Sequence, residues 1–137
     1  MENPSDQEIQ RILNESHTIA VVGLSPNPNR PSYEVARYLQ QQGYRIIPVN
    51  PTVTEVLGEK AYPRLEDVPE HIDIVDVFRR PEAIGPIVDA AIARQVPVLW
   101  LQLGVVNEEE AERARAAGIC VVVNRCMKLE HATPRLA

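Results

Sequence analysis

The residues of this chain best suited to chemistry sit in five short stretches, each directly after an apolar run: Gly23-Leu24-Ser25, Asn50-Pro51, Phe78-Arg79-Arg80, Gln102-Leu103-Gly104 and Asn124-Arg125-Cys126. The first opens within VVGLSPNPNRPS, residues 21–32, where an apolar run meets Gly23, a loop holding Pro26, Pro28 and Pro31, and a helical pattern from Ser32. A strand, a glycine turn and a helix start together present backbone N–H groups to a phosphate. The hydroxyls of Ser25 and Ser32 and the guanidinium of Arg30 add to such an anion site. A plainer role fits the same residues, with Gly23 making the turn and Ser32 capping the helix. The loop alone does not separate the two.

The departures from known nucleotide loops are informative. In a dinucleotide G-x-G-x-x-G, the second and third glycines are replaced here by Ser25 and Pro28, and Ser25 forbids the usual close approach of a pyrophosphate to the backbone. The acid that holds a ribose diol at the end of the second run is missing, and Asn50 stands there. An amide tolerates a ribose carrying an extra phosphate where a carboxylate would repel it, and coenzyme A carries such a 3′-phosphate. No G-x-x-x-x-G-K-[ST] loop is present either. Arg79-Arg80 precede Pro81 at an expected first helical position, where the helix dipole disfavours cations. Either an anionic ligand or an ion pair with an acid such as Glu82 accounts for them.

Catalytic groupings are scarcer. His17, His71 and His131 are scattered and none ends a run, so no triad and no metal site is indicated. Asp73 and Asp76 are three residues apart on an expected strand, hence on opposite faces, and Asp76 is expected to bond neighbouring backbone. Cys126 is the one candidate nucleophile, near a helix start that favours a thiolate, with packing under the last helix as its other reading. Cys120 reads as core and Trp100 as packed against a helix, while Gln102 is placed to bond a ligand amide.

The elements that position these residues follow from periodicity. TIAVVG (18–23), YRIIPV (44–49), DIVDVF (73–78), PVLWLQL (97–103) and ICVVV (119–123) are near-continuous apolar runs, as parallel strands covered on both faces require. Between them lie amphipathic stretches: Val35, Ala36 and Leu39 with Gly43 as C-cap; Ile84, Ile87, Val88, Ala91 and Ile92 as one stripe; and a third helix capped by Asn107. An added N-terminal helix falls within residues 1–16, capped by Ser5, and a short one is expected over 125–132. The prediction is a single α/β domain over residues 1–137: a doubly wound five-stranded parallel sheet in order 3-2-1-4-5, helices on both faces, with ligands at the carboxyl edge. Pro48 inside the second strand is tolerable where that strand leaves the sheet.

Composition limits the partners. The net charge of −5 argues against nucleic acid, and no apolar run approaches a membrane span. The polar start MENPSDQEIQ is not a signal peptide, which points to the cytoplasm.

Taken together, VVGLS (21–25) with Arg30, PVN-P (48–51), VDVFRRP (75–81), WLQLGV (100–105) and NRCMKLEH (124–131) resemble the small stand-alone CoA-binding proteins. These are similar in turn to the Rossmann-like N-terminal domain of the succinyl-CoA synthetase α subunit. The resemblance spans about residues 15 to 132 and implies coenzyme A as ligand. It implicates Gly23, Ser25 and Arg30 in holding the phosphates, and Val49, Asn50, Pro51, Phe78 and Arg79 in holding the adenosine part. Leu24, Ser32, Gln102 and Cys126 complete the candidate site as strand-end or loop neighbours. The synthetase phosphorylates a histidine in a following domain that this chain lacks, so the resemblance implies binding and no catalytic residue. The leading expectation is a non-catalytic module for CoA or an acyl-CoA. Its alternatives are a thiol enzyme acting on acyl-CoA or CoA disulfide through Cys126, and an NAD(P)-binding redox regulator.

Overall fold

β-Branched runs bounded by turn residues favour extended chain, because their side chains pack well on a pleated surface. In the computed structural model, which describes residues 3–133, the chain runs α1 (Asp6–Glu15), β1 (Thr18–Val22), α2 (Pro31–Gln41), β2 (Arg45–Val49) and a small hairpin of β3 (Glu55–Val56) and β4 (Glu59–Lys60). It continues through β5 (Ile74–Val77), α3 (Gly85–Arg94), β6 (Val98–Leu101), α4 (Glu108–Ala116), β7 (Cys120–Val123) and α5 (Met127–Ala132). The ends of the expected 1–137 domain lie outside the described residues. No helix among the described residues is long and apolar enough to cross a membrane.

The five long strands form one parallel sheet in the order β2-β1-β5-β6-β7. The doubly wound plan is as expected, with one change in which segment fills which place. The position outside β2 is taken by a single parallel bridge, Val49 to Tyr62; with that bridge counted as the third place, the sheet runs 3-2-1-4-5 and β7 follows as a sixth at the far edge. The strand over 73–78, expected there as the third, is instead β5 beside β1. The chain therefore reverses its direction of winding between β1 and β5, and the crevice opens at their carboxyl ends.

Alternation along the strands splits the core in two. Ile19, Val21, Ile74 and Trp100 face α1, α2 and α5, while Ala20, Val22, Val75 and Leu99 face α3 and α4. Ile84, Val88 and Ala91 of the expected stripe are fully buried. Ser5 caps α1 by accepting the Glu8 N–H, and Asn107 caps α4 by accepting that of Glu110. Pro48 sits in register with Val21, and its carbonyl points away from β1 to accept the Tyr62 N–H. Its missing N–H therefore lies on the outer edge, where the ladder needs no donor. At the far edge, the Asn3 side chain imitates a strand residue, donating to the Val123 carbonyl and accepting the Val123 N–H.

The hairpin was not foreseen. Its loop, Leu57-Gly58, has φ of +56° and +75°, the paired left-handed turn that matches strand twist. A leucine in the first turn position hides this signal, which Asn-Gly would have announced.

Candidate functional site

Gly23 is needed for two reasons that the sequence could only partly suggest. Its φ is +88°, and a Cβ added there would lie 2.2 Å from the Phe78 carbonyl oxygen and 3.3 Å from Arg79 Nε. The turn after β1 thus lets the end of β5 cross it at backbone contact, with the Arg79 side chain passing over the glycine. Hydrogen bonds hold both sides in place: Gly23 N–H donates to the Val49 carbonyl and Phe78 N–H to that of Val22, each at 2.8 Å.

The loop that follows is ordered by its own polar groups. Ser32 Oγ accepts the Ser25 N–H, Ser25 Oγ accepts the Asn27 N–H, and Asn27 Oδ1 accepts the Asn29 N–H. Ser32 is not the helix cap. Arg30 occupies that position with no side-chain cap bond, Pro31 begins α2, and buried Ser32 turns back to fasten the loop. The Arg30 side chain stands in the exposed part of the loop.

Asn50 is 8% exposed, and both polar atoms of its side chain are hydrogen-bonded. Its Nδ2 donates to the Leu24 carbonyl, and its Oδ1 accepts from the Thr52 N–H and hydroxyl. An aspartate could not make the first of these bonds when ionised, so the absent acid has a structural cause as well. Leu24 itself is completely buried and contributes only its backbone to this edge.

Two clefts flank the crossing, one on each face of the sheet. One of about 250 Å³ is lined by Val22, Val49, Pro51, Arg64, Ile87 and Arg79, among others. The other, about 560 Å³, has Phe78, Gln102, Cys126, Val35 and Leu103 around it, again with Arg79. Arg79 is therefore common to both. Of the expected site residues, Val49, Pro51, Phe78, Arg79, Gln102 and Cys126 line these clefts, while Gly23, Leu24, Ser25, Ser32 and Asn50 build the edge between them. Pro63, Arg64 and Leu65, which follow the hairpin, also line the smaller cleft and were missed, because no periodic run marks them.

Electrostatics single out the arginines. Among the described residues, neither Arg79 nor Arg80 is paired with Glu82 or any other acid, whereas Arg45, Arg64 and Arg113 all are. Pro81 opens a 3₁₀ turn, Pro81–Ala83, rather than the helix itself, so the two arginines are clear of the α3 N-terminus.

Beneath the larger cleft, Asp76 is wholly buried and accepts a 2.6 Å bond from Gln102 Nε2. This replaces the backbone partner expected for it. Burial pushes its carboxyl up to about 7 against the opposing effect of the Gln102 bond. Asp73 behaves oppositely: the N–H groups of His17 and Thr18 and the His71 ring hold it below the ordinary carboxylate range, although its burial works the other way. Trp100 is buried and donates through Nε1 to the Arg125 carbonyl, placing the loop before α5. Half-buried Cys126 caps that helix without a side-chain cap bond, and burial raises the thiol of half-buried Cys120. Among the described residues no group of histidine, cysteine and acidic side chains could hold a metal ion.

A doubly wound parallel sheet with a glycine turn and ligand-sized clefts at its switch point defines a Rossmann-like α/β domain. Residues 17–132 match the CoA binding domain family, and the chain belongs to that family. The strand-end resemblance is thereby borne out. Uncharacterized protein YneT of Bacillus subtilis is 44% identical over 98% of this chain and 100% of its own length. A hypothetical protein of Pyrococcus horikoshii has a solved structure that superposes with a TM-score of 0.90 at 40% identity, covering 96% of each chain. The dinucleotide-forming acetyl-coenzyme A synthetase 1 of Ca. Korarchaeum cryptofilum matches at 27% identity with a TM-score of 0.70, over 82% of this chain and 27% of that one.

Proposed function

We propose that this chain binds coenzyme A or an acyl-CoA across the carboxyl edge of its sheet and performs no chemistry of its own. The adenosine end occupies the smaller cleft beside Val49 and Pro51. The phosphates lie over Arg79 and the glycine turn, and the pantetheine arm runs through the larger cleft toward Gln102 and Cys126. The observation that carries this reading is the Arg79 guanidinium, unpaired among the described residues and shared by both clefts next to Gly23. Family membership supports the ligand class. Calorimetric titration with CoA, acetyl-CoA, NAD and ATP tests it. CoA is expected to bind, and Arg79→Ala to lower its affinity by about ten- to a hundredfold, the worth of a charge-assisted phosphate contact. Stability should hardly change, since no ion pair is lost. A chain that binds NAD more tightly than CoA, or an Arg79→Ala variant with parental CoA affinity, overturns the reading.

A thiol function is the second reading, favoured by one observation: Cys126 opens onto the same cleft as Arg79 and Gln102. In that reading the Cys126 thiolate attacks CoA disulfide, forms a mixed disulfide and releases one CoA thiolate. Intact-mass measurement should then show one CoA moiety on the native protein and none on Cys126→Ser. Labelling confined to the unfolded chain would leave Cys126 as packing.

A further inference from the structure

Asp76 is the only wholly buried carboxylate among the described residues, and half of it is idle. Oδ1 accepts from Gln102 Nε2, but Oδ2 has no partner. Gln102, 3% exposed, lines the larger cleft with Arg79 and Cys126. Its amide nitrogen faces Asp76 and gives it one of two N–H groups, which leaves Oε1 as the amide's acceptor, without a bond to Asp76.

A proton changes that arrangement. Placed on Oδ2 it would be a buried O–H with no acceptor, which is costly. Placed between the two side chains it has one, provided the Gln102 amide turns over and directs Oε1 at Asp76. The NH2 group then takes the place that Oε1 held. We propose that Asp76 and Gln102 are a proton-controlled specificity element, in which ionised Asp76 leaves the cleft an amide oxygen and protonated Asp76 leaves it an amide NH2. Burial brings both forms into the neutral range.

The surroundings leave Asp76 to burial and Gln102 alone. Val21 of β1 and Trp100 of β6 lie in register beside it, and the same face receives Leu13 of α1, Val35 of α2 and Met127 of α5, none of them ionisable. The ionisable groups on the cleft are Arg79, Arg80 and Cys126. Farther out on that face, Glu34 pairs with Lys128, the Tyr38 hydroxyl with His131, and Arg125 with Glu130.

On the CoA reading proposed above, the element sorts ligands by their last functional group. A thioester carbonyl accepts and gains from the NH2 form; a thiol donates and gains from the oxygen form. The ligand-free full chain tests the switch without relying on that reading. Nuclear magnetic resonance from about pH 5 to 9 should show the Asp76 carboxyl carbon and the Gln102 side-chain NH2 moving with one midpoint. Asp76→Asn should flatten the Gln102 response. Gln102→Leu should leave Asp76 titrating at higher pH, because the bond favouring its ionised form is gone. Gln102 signals that stay fixed while Asp76 titrates, or an Asp76 silent across the range, overturn the switch. With ligand, the affinity ratio of acetyl-CoA to CoA should fall about fivefold as pH rises through the midpoint, the worth of one neutral hydrogen bond, and should be constant in Asp76→Asn. A constant ratio in the parent refutes ligand sorting. Failure of both ligands to bind at any pH refutes the CoA reading instead, while the ligand-free spectra still decide the switch.

Discussion

Replacing Gly23 by alanine tests the crossing on which the whole edge depends. Two effects add. A left-handed backbone costs an L-residue about 1–2 kcal/mol, and φ at this position is +88°. The new methyl also meets the Phe78 carbonyl oxygen at 2.2 Å, well inside contact distance, so the ends of β1 and β5 must part. Overpacking of this kind adds roughly 1–3 kcal/mol, and the stiffer unfolded chain returns up to about 1. The net loss is about 3 kcal/mol, which in urea lowers the unfolding midpoint by about 2 M for a slope near 1.5 kcal/mol/M. Gly43→Ala is the control, because φ there is +99° while nothing lies within 4 Å of the added atom. It should show the backbone contribution alone, about 1 kcal/mol. Urea unfolding followed by circular dichroism measures both. If Gly23→Ala loses no more than Gly43→Ala, the close approach is not what glycine is there for. Affinity for CoA should fall with the parting strands, since Arg79 moves with Phe78.

Two further outcomes follow from buried polar groups. Asn50→Asp exchanges the donor that meets the Leu24 carbonyl for a second acceptor, and should lose about 2–4 kcal/mol in urea unfolding at neutral pH. The loss should shrink in acid, where the new carboxyl regains a proton to donate; equal stability at neutral pH would mean that the tie to Leu24 is idle. Asp76 binds its proton more tightly folded than unfolded, so the folded state holds more protons between the ordinary carboxylate value and about 7, and stability falls as pH rises through that window. Asp76→Asn removes the dependence: relative to the parent it should gain about 2.5 kcal/mol between roughly pH 5 and 8, read from paired denaturation curves. A gap that stays constant with pH refutes the raised carboxyl.

The sequence was most legible where periodicity and chemistry coincide. The run TIAVVG, the cap at Asn107 and the stripe from Ile84 to Ala91 all read directly, because burial on a strand or helix imposes a fixed spacing. The strand ends could be recognised for the same reason, and they line or build the two clefts. Contacts between segments distant in the chain were beyond it. Nothing local says that β5 lies beside β1, that Asn50 spends its amide on Leu24, or that Gln102 reaches down to Asp76. Capping is one of the two roles open to Ser32 in the sequence, since serine favours that place, yet Pro31 begins the helix and puts the cap at Arg30, two residues earlier.

Both margins of the sheet are closed by something other than a strand. Outside β2, Pro48 offers no N–H and the Tyr62 segment takes up the carbonyl of Pro48 and the N–H of Asn50. Outside β7, a single asparagine side chain occupies Val123. Unpaired edges recruit strands from other molecules, and covered or proline-bearing ones resist it. The protection is uneven: the first margin is held by backbone bonds, the second by one amide near the start of the chain. Loss of order around Asn3 would bare the end of β7 at Val123 as a template for intermolecular pairing. Aggregation on storage or heating should therefore begin at that margin, well before the buried sheet comes apart.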